Sequence, residues 1–348
     1  MSKPDHSERT ATEPRDPSLH TVILRRIEEI NPSIRTFRLA IPASVGRIRP
    51  AYAPPAHSAL PRALFSDPRV LEEPRLTHPP RDDQFLPGQW LDVFVPGIRN
   101  PGGFTITSSP SKAQKKTVLP ASAAPADGTT PSPPAPAQEP YLELAVQKSP
   151  DNPPAQYLWR PTAEILHSEL RVRVGGSFVW PPPGVQPTTL RKIVFVAGGV
   201  GINPLMSIAS HLAERPDPRH TVEFLYSTRD PGGEGKRDAS KILFLDRLAG
   251  IFNGGGGALK GRLGLFLTPG GPGAGAEGGG DGGDLQGIPF KSRRITVEDI
   301  AEAVGDDKKF AVVYVCGVPA MTDEFVEKLT SPQGLGLEPH RVLYEKWW

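Results

Sequence analysis

Residues 194–208, VFVAGGVGINPLMSI, join an apolar run to a glycine-rich turn and then to a helix-like pattern. Gly198, Gly199 and Gly201 would stand at the carboxyl end of a strand and open the next helix. There, backbone N–H groups and a helix N-terminus can hold a pyrophosphate, and only glycine lets the backbone come so close. The alternative is an ordinary strand-to-helix turn that needs glycine for a positive φ. The strand pattern before the turn and the helix pattern after it favour phosphate binding.

The turn departs from the usual dinucleotide fingerprint in two ways. Pro204 stands where the third glycine is expected, and the next predicted strand ends in YSTR (226–229), without an acid to hold a ribose. Arg229 could attract a 2′-phosphate or be a solvated loop charge, which leaves NADPH and NADH both open. The sequence is therefore a poor match to a dehydrogenase built from two dinucleotide-binding halves.

The residues after position 190 alternate between strand and helix patterns. Asn203 is predicted to cap the helix after the glycine turn, with Pro204 at its first position, and Thr296 with Asp299 is predicted to form a capping box. This alternation predicts a parallel sheet with helices on both faces, which binds ligands at the carboxyl ends of its strands. The predicted strands cover 192–197, 221–227, 262–267, 310–316 and 341–347, and further helices are predicted at 241–249 and around 321–329.

The residues before position 185 show short alternating apolar runs with Pro and Gly turns between them. This pattern predicts an antiparallel barrel or sandwich. Residues 162–170 are predicted to form a short helix in this half. The predicted strands cover 21–27, 35–41, 89–95, 104–107, 141–147 and 171–176.

Five segments fall outside these two patterns. Residues 1–19 are predicted to be a disordered N-terminus that is neither a secretory signal nor a good transit peptide. The other four are predicted to be loops or flexible linkers inserted into a compact framework, because most are rich in Pro, Ala, Ser or Gly. They cover 44–83, 111–139, 230–238 and 252–292. The two predicted domains therefore span 20–185 and 190–348.

Composition excludes several classes of function. A formal net charge of +2 provides no basic field for nucleic acid, and no run approaches the roughly 18 apolar residues of a membrane span. Cys316 is the single cysteine, which excludes disulfides within the chain and an iron–sulfur cluster on four cysteines, and favours a reducing compartment. The His residues lack metal-ligand spacing, so no metal site is predicted.

Five motifs in order carry a resemblance to the ferredoxin–NADP reductase family of flavoproteins. Within that family the chain is similar to the oxidoreductase NAD-binding domain-containing proteins. The resemblance implies a six-stranded antiparallel flavin-binding β-barrel, followed by a Rossmann-like parallel α/β domain that binds NAD(P). It covers roughly 20–42, 84–110, 140–229 and 295–348, and its motifs are GGFTITSSP (102–110), PPAQYLW (153–159), GGVGINP (198–204), CGVP (316–319) and the terminal YEKWW.

The first two motifs are similar to the flavin-binding motifs of the family. The resemblance implies that Phe104 packs on the isoalloxazine and that the Thr105 hydroxyl hydrogen-bonds near the reactive N5. Phe104 and Thr105 could equally be ordinary strand residues. The resemblance also implies that the flavin contacts Ile106, Thr107, Gln156 and Tyr157.

The later motifs are similar to the family's dinucleotide site. The resemblance implies that Glu345 and Cys316 help to place the nicotinamide, and that Trp347 covers the flavin until the nicotinamide displaces it. A lone buried Cys is more often a core residue, and the terminal aromatics could dock on the protein's own core. The remaining implied contacts of the dinucleotide are Gly198, Gly199, Val200, Gly201, Pro204, Ser227, Arg229, Gly317 and Pro319.

Two departures weaken the implied flavin site. Gly102 stands where the family has an Arg that pairs with the flavin phosphates, and Pro154 stands where the phosphate-binding Gly is expected. Loss of such a charge-assisted contact costs about 1.5–3 kcal/mol. FAD could therefore be weakly held, FMN could replace it, or a cation such as Arg160 could compensate.

The function expected from these residues is a flavin-dependent NAD(P)H oxidoreductase, with NADH favoured by the resemblance. Hydride would pass from the nicotinamide to flavin N5, with Thr105, Cys316, Glu345 and Trp347 as the catalytic group. Electrons would then pass to a separate acceptor, because the chain lacks the cysteines of an iron–sulfur domain. The alternatives are an NAD(P)-binding regulator or scaffold that lost tight flavin binding, and a plain NAD dehydrogenase without flavin. The cytoplasm is the direct expectation for location, and relatives suggest mitochondria as the alternative.

Overall fold

A computed structural model of the chain describes residues 5–42, 85–114, 139–230, 237–252, 258–268, 283–285 and 287–347. The first of the four sequence-predicted insertions, 44–83, lies outside these residues. Most of the second, most of the third and the Gly-rich core of the fourth also lie outside them.

The first half of the chain forms a six-stranded sheet in which every described strand pair is antiparallel. The strand order is β4-β3-β6-β1-β2-β5, and an isolated bridge between Ile106 and Leu144 joins the segment after β4 back to β5, which closes the barrel. The predicted six-stranded antiparallel barrel is therefore confirmed. Its elements are α1 His6–Arg9, β1 His20–Asn31, β2 Ile34–Ala40, β3 Trp90–Phe94, β4 Gly102–Thr105, β5 Tyr141–Gln147, α2 Pro153–Leu158, α3 Thr162–Ile165 and β6 Glu169–Gly175.

The second half forms a seven-stranded sheet in the order β10-β11-β9-β8-β7-β12-β13, parallel except for the short β10. One apolar cluster packs α4 and α5 on one face, and another packs α6 and α7 on the other. The predicted parallel sheet with helices on both faces is confirmed. Its elements are β7 Lys192–Gly198, α4 Ile202–Glu214, β8 Thr221–Arg229, α5 Leu245–Phe252, β9 Gly261–Thr268, β10 Asp284–Leu285, β11 Ile288–Lys291, α6 Val297–Val304, β12 Ala311–Gly317, α7 Pro319–Thr330 and β13 Val342–Lys346.

Two predicted helices differ from the observed ones because tertiary pairing overrides local pattern. The predicted helix 162–170 ends at Ile165, since Glu169 and Leu170 pair with β1 and so belong to β6. The predicted helix 241–249 begins only at Leu245, because Phe244 has a positive φ of 62° that a helix cannot contain. The capping box of Thr296 and Asp299 is present as predicted.

Part of the segment predicted as a flexible linker is structured. Beyond β9, which the pattern predicted, β10 and β11 form a hairpin, and β11 adds to the sheet parallel to β9. Leu285, Ile288 and Phe290 are buried there. These three apolar residues lie in a Gly-rich segment, and its glycine content led to the prediction of a flexible linker.

The predicted disorder of residues 1–19 is wrong for residues 5–19, which we call the amino-terminal arm. The arm runs along β6, where Arg15 bridges Gly175 and the backbone N–H of Asp16 donates to the carbonyl of Val174 (2.9 Å). It also carries α1, and the His6 side chain of α1 is buried. A polar stretch with few apolar residues can thus be ordered by contacts with residues far away in the sequence, which its own composition does not reveal.

The arm is anchored on Asp92, a fully buried carboxylate in β3. His6 Nε2 lies 2.9 Å from Asp92 Oδ1, and Arg15 Nε and Arg173 Nη2 lie 3.1 and 2.6 Å from Oδ2. Burial alone would raise the pKa of Asp92, but hydrogen bonds from His6 and Arg173 and the charge of Arg15 lower it below its ordinary value. The His6 ring packs on Gly103, where an added Cβ would lie 2.1 Å from a ring atom.

Candidate active site

The glycine turn lies at the carboxyl end of β7, as the sequence predicts. Gly198 ends the strand, Gly199–Gly201 form a 3₁₀ turn, and α4 starts at Ile202 with no side chain capping its N-terminus. Gly199 has a positive φ of 55° and open space at its Cβ position, whereas a Cβ on Gly201 would lie 2.2 Å from the carbonyl oxygen of Cys316. Gly199 therefore keeps an approach to the backbone open, and Gly201 allows the turn to pack on β12. Gly198 and Val200 are, like Gly199, half-buried.

Asn203 is not the helix cap that the sequence predicts. Because α4 begins at Ile202, two residues earlier than predicted, Asn203 lies inside its first turn, and Pro204 is third in the helix rather than first. The Asn203 side chain instead donates from Nδ2 to the carbonyl oxygen of Ala145 in β5 at 2.9 Å. Its Oδ1 is buried without a hydrogen-bond partner.

Further bonds along α4 tie the α/β domain to the barrel segment that follows β4. Ser207 Oγ donates to the carbonyl of Ser108 (2.8 Å), and Ser109 Oγ donates to Glu214 Oε1 (2.7 Å). On α5, Arg247 Nη2 donates to Glu143 Oε1 in β5 at 2.8 Å. A cavity of about 290 Å³ lies beside these contacts.

Thr105 and the glycine turn both lie next to β5. Ile106, the next residue, bridges Leu144, and the residue after Leu144 is the Ala145 that accepts the Asn203 bond. The glycine turn itself contacts β5. Thr105 is almost fully buried, and its Oγ1 has no hydrogen-bond partner. The Thr105 hydroxyl and the Asn203 amide oxygen are therefore two buried polar atoms without partners on segments that contact β5.

The other residues assigned by resemblance to the flavin have partners within the protein. The Phe104 ring packs in the barrel cluster and is only 7% exposed, and Ile106 is fully buried in the same cluster. Thr107 Oγ1 donates to Glu143 Oε1 at 2.9 Å. Gln156 is exposed and donates to the carbonyl of Pro150, and the buried Tyr157 has the Arg160 guanidinium over its ring at 5.0 Å.

At Gly102, where the resemblance implies an Arg that pairs with the flavin phosphates, the structure leaves no room for a side chain. A Cβ added to Gly102 would lie 2.6 Å from the Phe104 ring and 2.8 Å from Cβ of Pro154. Asn152 caps α2 by accepting from the backbone N–H of Ala155 (3.1 Å). The residues present therefore do not fit a flavin held by its phosphates. Among the flavin contacts implied by the first two motifs, Thr105 is the one with a buried side-chain polar atom that has no partner.

Cys316 and Glu345 face each other in register on β12 and β13, beside the glycine turn. Burial, and then the charge of Glu345, raise the pKa of the Cys316 thiol well above its ordinary value. Burial, and then the carboxylate of Glu13 in the arm, raise the pKa of Glu345 to about 8. At neutral pH the thiol is therefore not a thiolate, and the Glu345 carboxyl is mostly uncharged and can donate a hydrogen bond.

Trp347 continues from β13 over the same edge of the sheet. Its backbone N–H donates to the carbonyl of Gly317 at 3.0 Å, and its half-buried ring packs against the apolar cluster that contains Cys316. Pro319 starts α7 directly after this point. Cys316, Gly317, Glu345, Trp347 and the glycine turn are therefore brought together at one edge.

Met321 is a residue of this edge that sequence analysis missed. A Cβ on Gly198 would lie 2.8 Å from its Sδ, and one on Gly317 would lie 2.3 Å from its Cε, so the thioether fills the gap between the two glycines. Its position two residues after Pro319 in the CGVP motif is the signal that could have identified it. Glu13 was missed because the arm was assigned as disordered.

Ser227 and Arg229 lie further along the carboxyl edge. Ser227 is the register partner of Gly198 and is half-buried, and Arg229 is the exposed last residue of β8. They extend the edge away from Glu345. In the described part of the chain, no group of three or more His, Cys, Asp or Glu side chains could hold a metal ion. Across the same residues, no helix is long and apolar enough to cross a membrane.

Comparison with known proteins identifies the family. No family model matches the chain. Oxidoreductase NAD-binding domain-containing protein 1 of Bos taurus is 33% identical over 279 residues, which cover 77% of this chain and 73% of that protein.

Two solved structures share the fold. A ferredoxin NADP⁺ reductase from Neisseria gonorrhoeae with bound FAD and NADP has a TM-score of 0.54 and 12% identity, over 96% of this chain and 100% of that one. The cytochrome b5 reductase domain of Ulva prolifera nitrate reductase has a TM-score of 0.52 and 12% identity, over 94% and 97% of the two chains. The barrel and the α/β sheet are thus those of ferredoxin–NADP reductase-like proteins, and the chain belongs to the oxidoreductase NAD-binding domain-containing protein 1 family.

Proposed function

We propose that this oxidoreductase-family protein binds a reduced nicotinamide dinucleotide at the carboxyl edge of its parallel sheet and passes the hydride to a flavin ring at Thr105. One observation carries the proposal. The uncapped glycine turn and the strand that carries the unpartnered Thr105 Oγ1 both contact β5. Ring-to-ring hydride transfer needs two adjoining sites that position the reactive atoms against each other.

The dinucleotide pyrophosphate would bind the backbone N–H groups of Gly199, Val200 and Gly201, where no side chain competes. Entry along this edge requires the Met321 thioether to turn away from Gly198 and Gly317, which a flexible Met side chain does readily. Ser227 would contact the same ligand beside Gly198. The exposed Arg229 is the candidate contact for the far end of the dinucleotide.

The nicotinamide would lie beside Cys316 and Glu345. The uncharged Glu345 carboxyl can donate to the carboxamide oxygen without placing a negative charge beside the ring. Trp347 would cover the acceptor face and move aside on binding. The chain's contribution is mostly to position the two rings.

NADH is the proposed dinucleotide, with NADPH as the alternative. The family resemblance favours NADH, whereas Arg229 could bind a 2′-phosphate. We also propose a separate electron acceptor, because a chain with one cysteine cannot itself hold an iron–sulfur cluster on four cysteines.

A second candidate is a dinucleotide-binding regulator without a flavin reaction. The observation that favours it is the closed phosphate end, where Pro154 and the Phe104 ring fill the space beside Gly102. The two candidates share the dinucleotide site and differ only in whether a flavin ring is reduced.

Titration of the protein with NADH and NADPH, followed by nicotinamide fluorescence, tests the shared site. We expect saturable binding that weakens about tenfold in Gly199→Val, because the branched side chain blocks the approach to the turn. Gly97→Val is the matched control, since it too replaces a positive-φ glycine with open space around it, but in a distant barrel turn. Equal loss in both variants would contradict the assignment of the turn.

A further inference from the structure

We propose that the flavin is a diffusible substrate recognised by its ring system and not through its phosphates. Riboflavin should then serve as well as FMN or FAD. This inference rests on the proposed function, because it names the substrate class of the same site.

The residues around Gly102, where the family resemblance would place the flavin phosphates, provide little to bind them. Gly102 has no side chain to offer, and the space beside it is occupied by Pro154 and by the Phe104 ring. Phe104 also lacks a hydroxyl, so it provides no polar contact to a ribityl chain. Asn152 already occupies one of the first N–H groups of α2. Neither Gly102 nor Pro154 supplies a side-chain charge or hydrogen-bond donor at this end.

The cations that surround α2 lie away from Gly102 and Pro154. Arg160, the candidate replacement for the missing Arg, lies at the C-terminal end of that helix, over the Tyr157 ring. Arg35 donates to the Arg160 carbonyl at 2.9 Å and lies 4.5 Å over the Trp159 ring, which Lys148 also approaches at 5.5 Å. These cations gather on aromatic rings at the end of α2 opposite to Gly102 and Pro154.

Two buried polar atoms lack partners in the part of the site proposed to bind the flavin ring. Thr105 Oγ1 is a donor and acceptor, and Asn203 Oδ1 is an acceptor, and both residues are more than nine-tenths buried. An isoalloxazine offers ring nitrogens and carbonyl oxygens as acceptors and one ring N–H as a donor. Buried polar groups are normally paired, so each of these two atoms is a candidate contact for a bound ring.

The reaction balances with these components alone. The C4–H bond of the reduced nicotinamide breaks with its electron pair, and an N–H bond forms at flavin N5. The nicotinamide is oxidised by two electrons, the flavin is reduced by two, and a proton from solvent completes the dihydroflavin. The reduced flavin then leaves and carries the electrons to the acceptor.

The experiment compares riboflavin, FMN and FAD as substrates with saturating NADH, and measures their binding separately by equilibrium dialysis. We expect protein that loses flavin on gel filtration, and KM values within about threefold of one another, since a phosphate contact would be worth about ten-fold or more. Bound FAD that survives gel filtration, or a KM for FAD far below that for riboflavin, would overturn the inference but leave the proposed function standing. Saturable NADH binding with no reduction of any flavin would instead overturn the proposed function.

Two sets of variants sharpen the test. Thr105→Val should raise the riboflavin dissociation constant about tenfold, Thr105→Ser should restore it, and Thr36→Val, at another buried strand threonine, should leave it unchanged. The double variant Gly102→Arg/Pro154→Gly should gain a preference for FMN and FAD over riboflavin of about tenfold. Absence of that gain in a folded double variant would contradict the assignment of the phosphate end.

Discussion

Asn203 in α4 donates its amide to the carbonyl oxygen of Ala145 in β5, across the boundary between the two domains, at 2.9 Å. The bond joins the second residue of α4, the helix that follows the glycine turn, to β5, the strand next to Thr105. Asn203 therefore provides one of the buried bonds that fix the relative position of the two halves of the site.

We predict that Asn203→Ala lowers the free energy of unfolding by about 1–3 kcal/mol, because it leaves a buried carbonyl without its donor. Chemical denaturation at fixed pH measures the effect. Asn100→Ala is the matched control, since the Asn100 amide binds Asp5 at an exposed position and should cost less than about 0.5 kcal/mol. Equal stability of the two variants would show that the Ala145 bond does not join the domains.

The fold could be predicted from sequence because its signals are local. The β7 run, the three glycines and the following helix pattern lie within 15 residues, and each observed element beside them is where the pattern put it, to within a few residues. The role of Asn203 could not be predicted in the same way. Its partner is 58 residues away, and Asn is a preferred N-cap residue, so the local pattern favoured a cap.

The two glycines of the turn should respond differently to alanine. Gly201→Ala forces a Cβ to within 2.2 Å of the Cys316 carbonyl oxygen, so we expect loss of several kcal/mol of stability or failure to fold. Gly199→Ala meets open space and should cost only about 1 kcal/mol for its positive φ. Thermal unfolding of both variants measures the difference. Similar melting temperatures would contradict the close packing of the turn on β12.

Glu345 should make stability depend on pH. Its pKa rises from 4.5 to about 8 on folding, so between these values the folded chain holds a proton that the unfolded chain has lost. Stability from this group is therefore complete below about pH 4.5 and declines as the pH rises to about 8. We predict that wild type loses stability relative to Glu345→Gln between about pH 5 and pH 8.5.

The control for that prediction is Glu13→Gln. The Glu13 carboxylate raises the pKa of Glu345, so its removal should shift the same decline to lower pH without abolishing it. Denaturant titrations of the three proteins across the pH range measure both effects. A constant difference between wild type and Glu345→Gln at all pH values would refute the perturbed carboxyl.

The amino-terminal arm should contribute strongly to stability through Asp92. Asp92→Ala removes the one carboxylate that His6, Arg15 and Arg173 share, and loss of one partner from a buried ion network costs about 3–5 kcal/mol. Asp217→Ala, in a pair with Arg219 at the surface, should cost about 0–1 kcal/mol. Proteolysis within the arm should accelerate only in the first variant, and an arm that stays protected would argue against the anchor.

The arm also shows why part of the site escaped prediction. Residues 5–19 have the composition of a disordered tail, and their order comes from His6 and Arg15 meeting a carboxylate about 80 residues later in the chain. Glu13 reaches Glu345 for the same reason. Thr105, Glu345 and the glycine turn could be identified from motifs. The lack of room for a side chain at Gly102 could not, because it depends on how Pro154 packs there, which no motif encodes.

The most direct test of ring-to-ring hydride transfer is anaerobic mixing of the protein, in catalytic amount, with riboflavin and an excess of NADH, followed by visible absorption. The account predicts complete loss of the oxidised flavin band over many turnovers, slower with NADH carrying deuterium at the transferred C4 position. An oxidised band that persists while nicotinamide fluorescence reports bound NADH would contradict it.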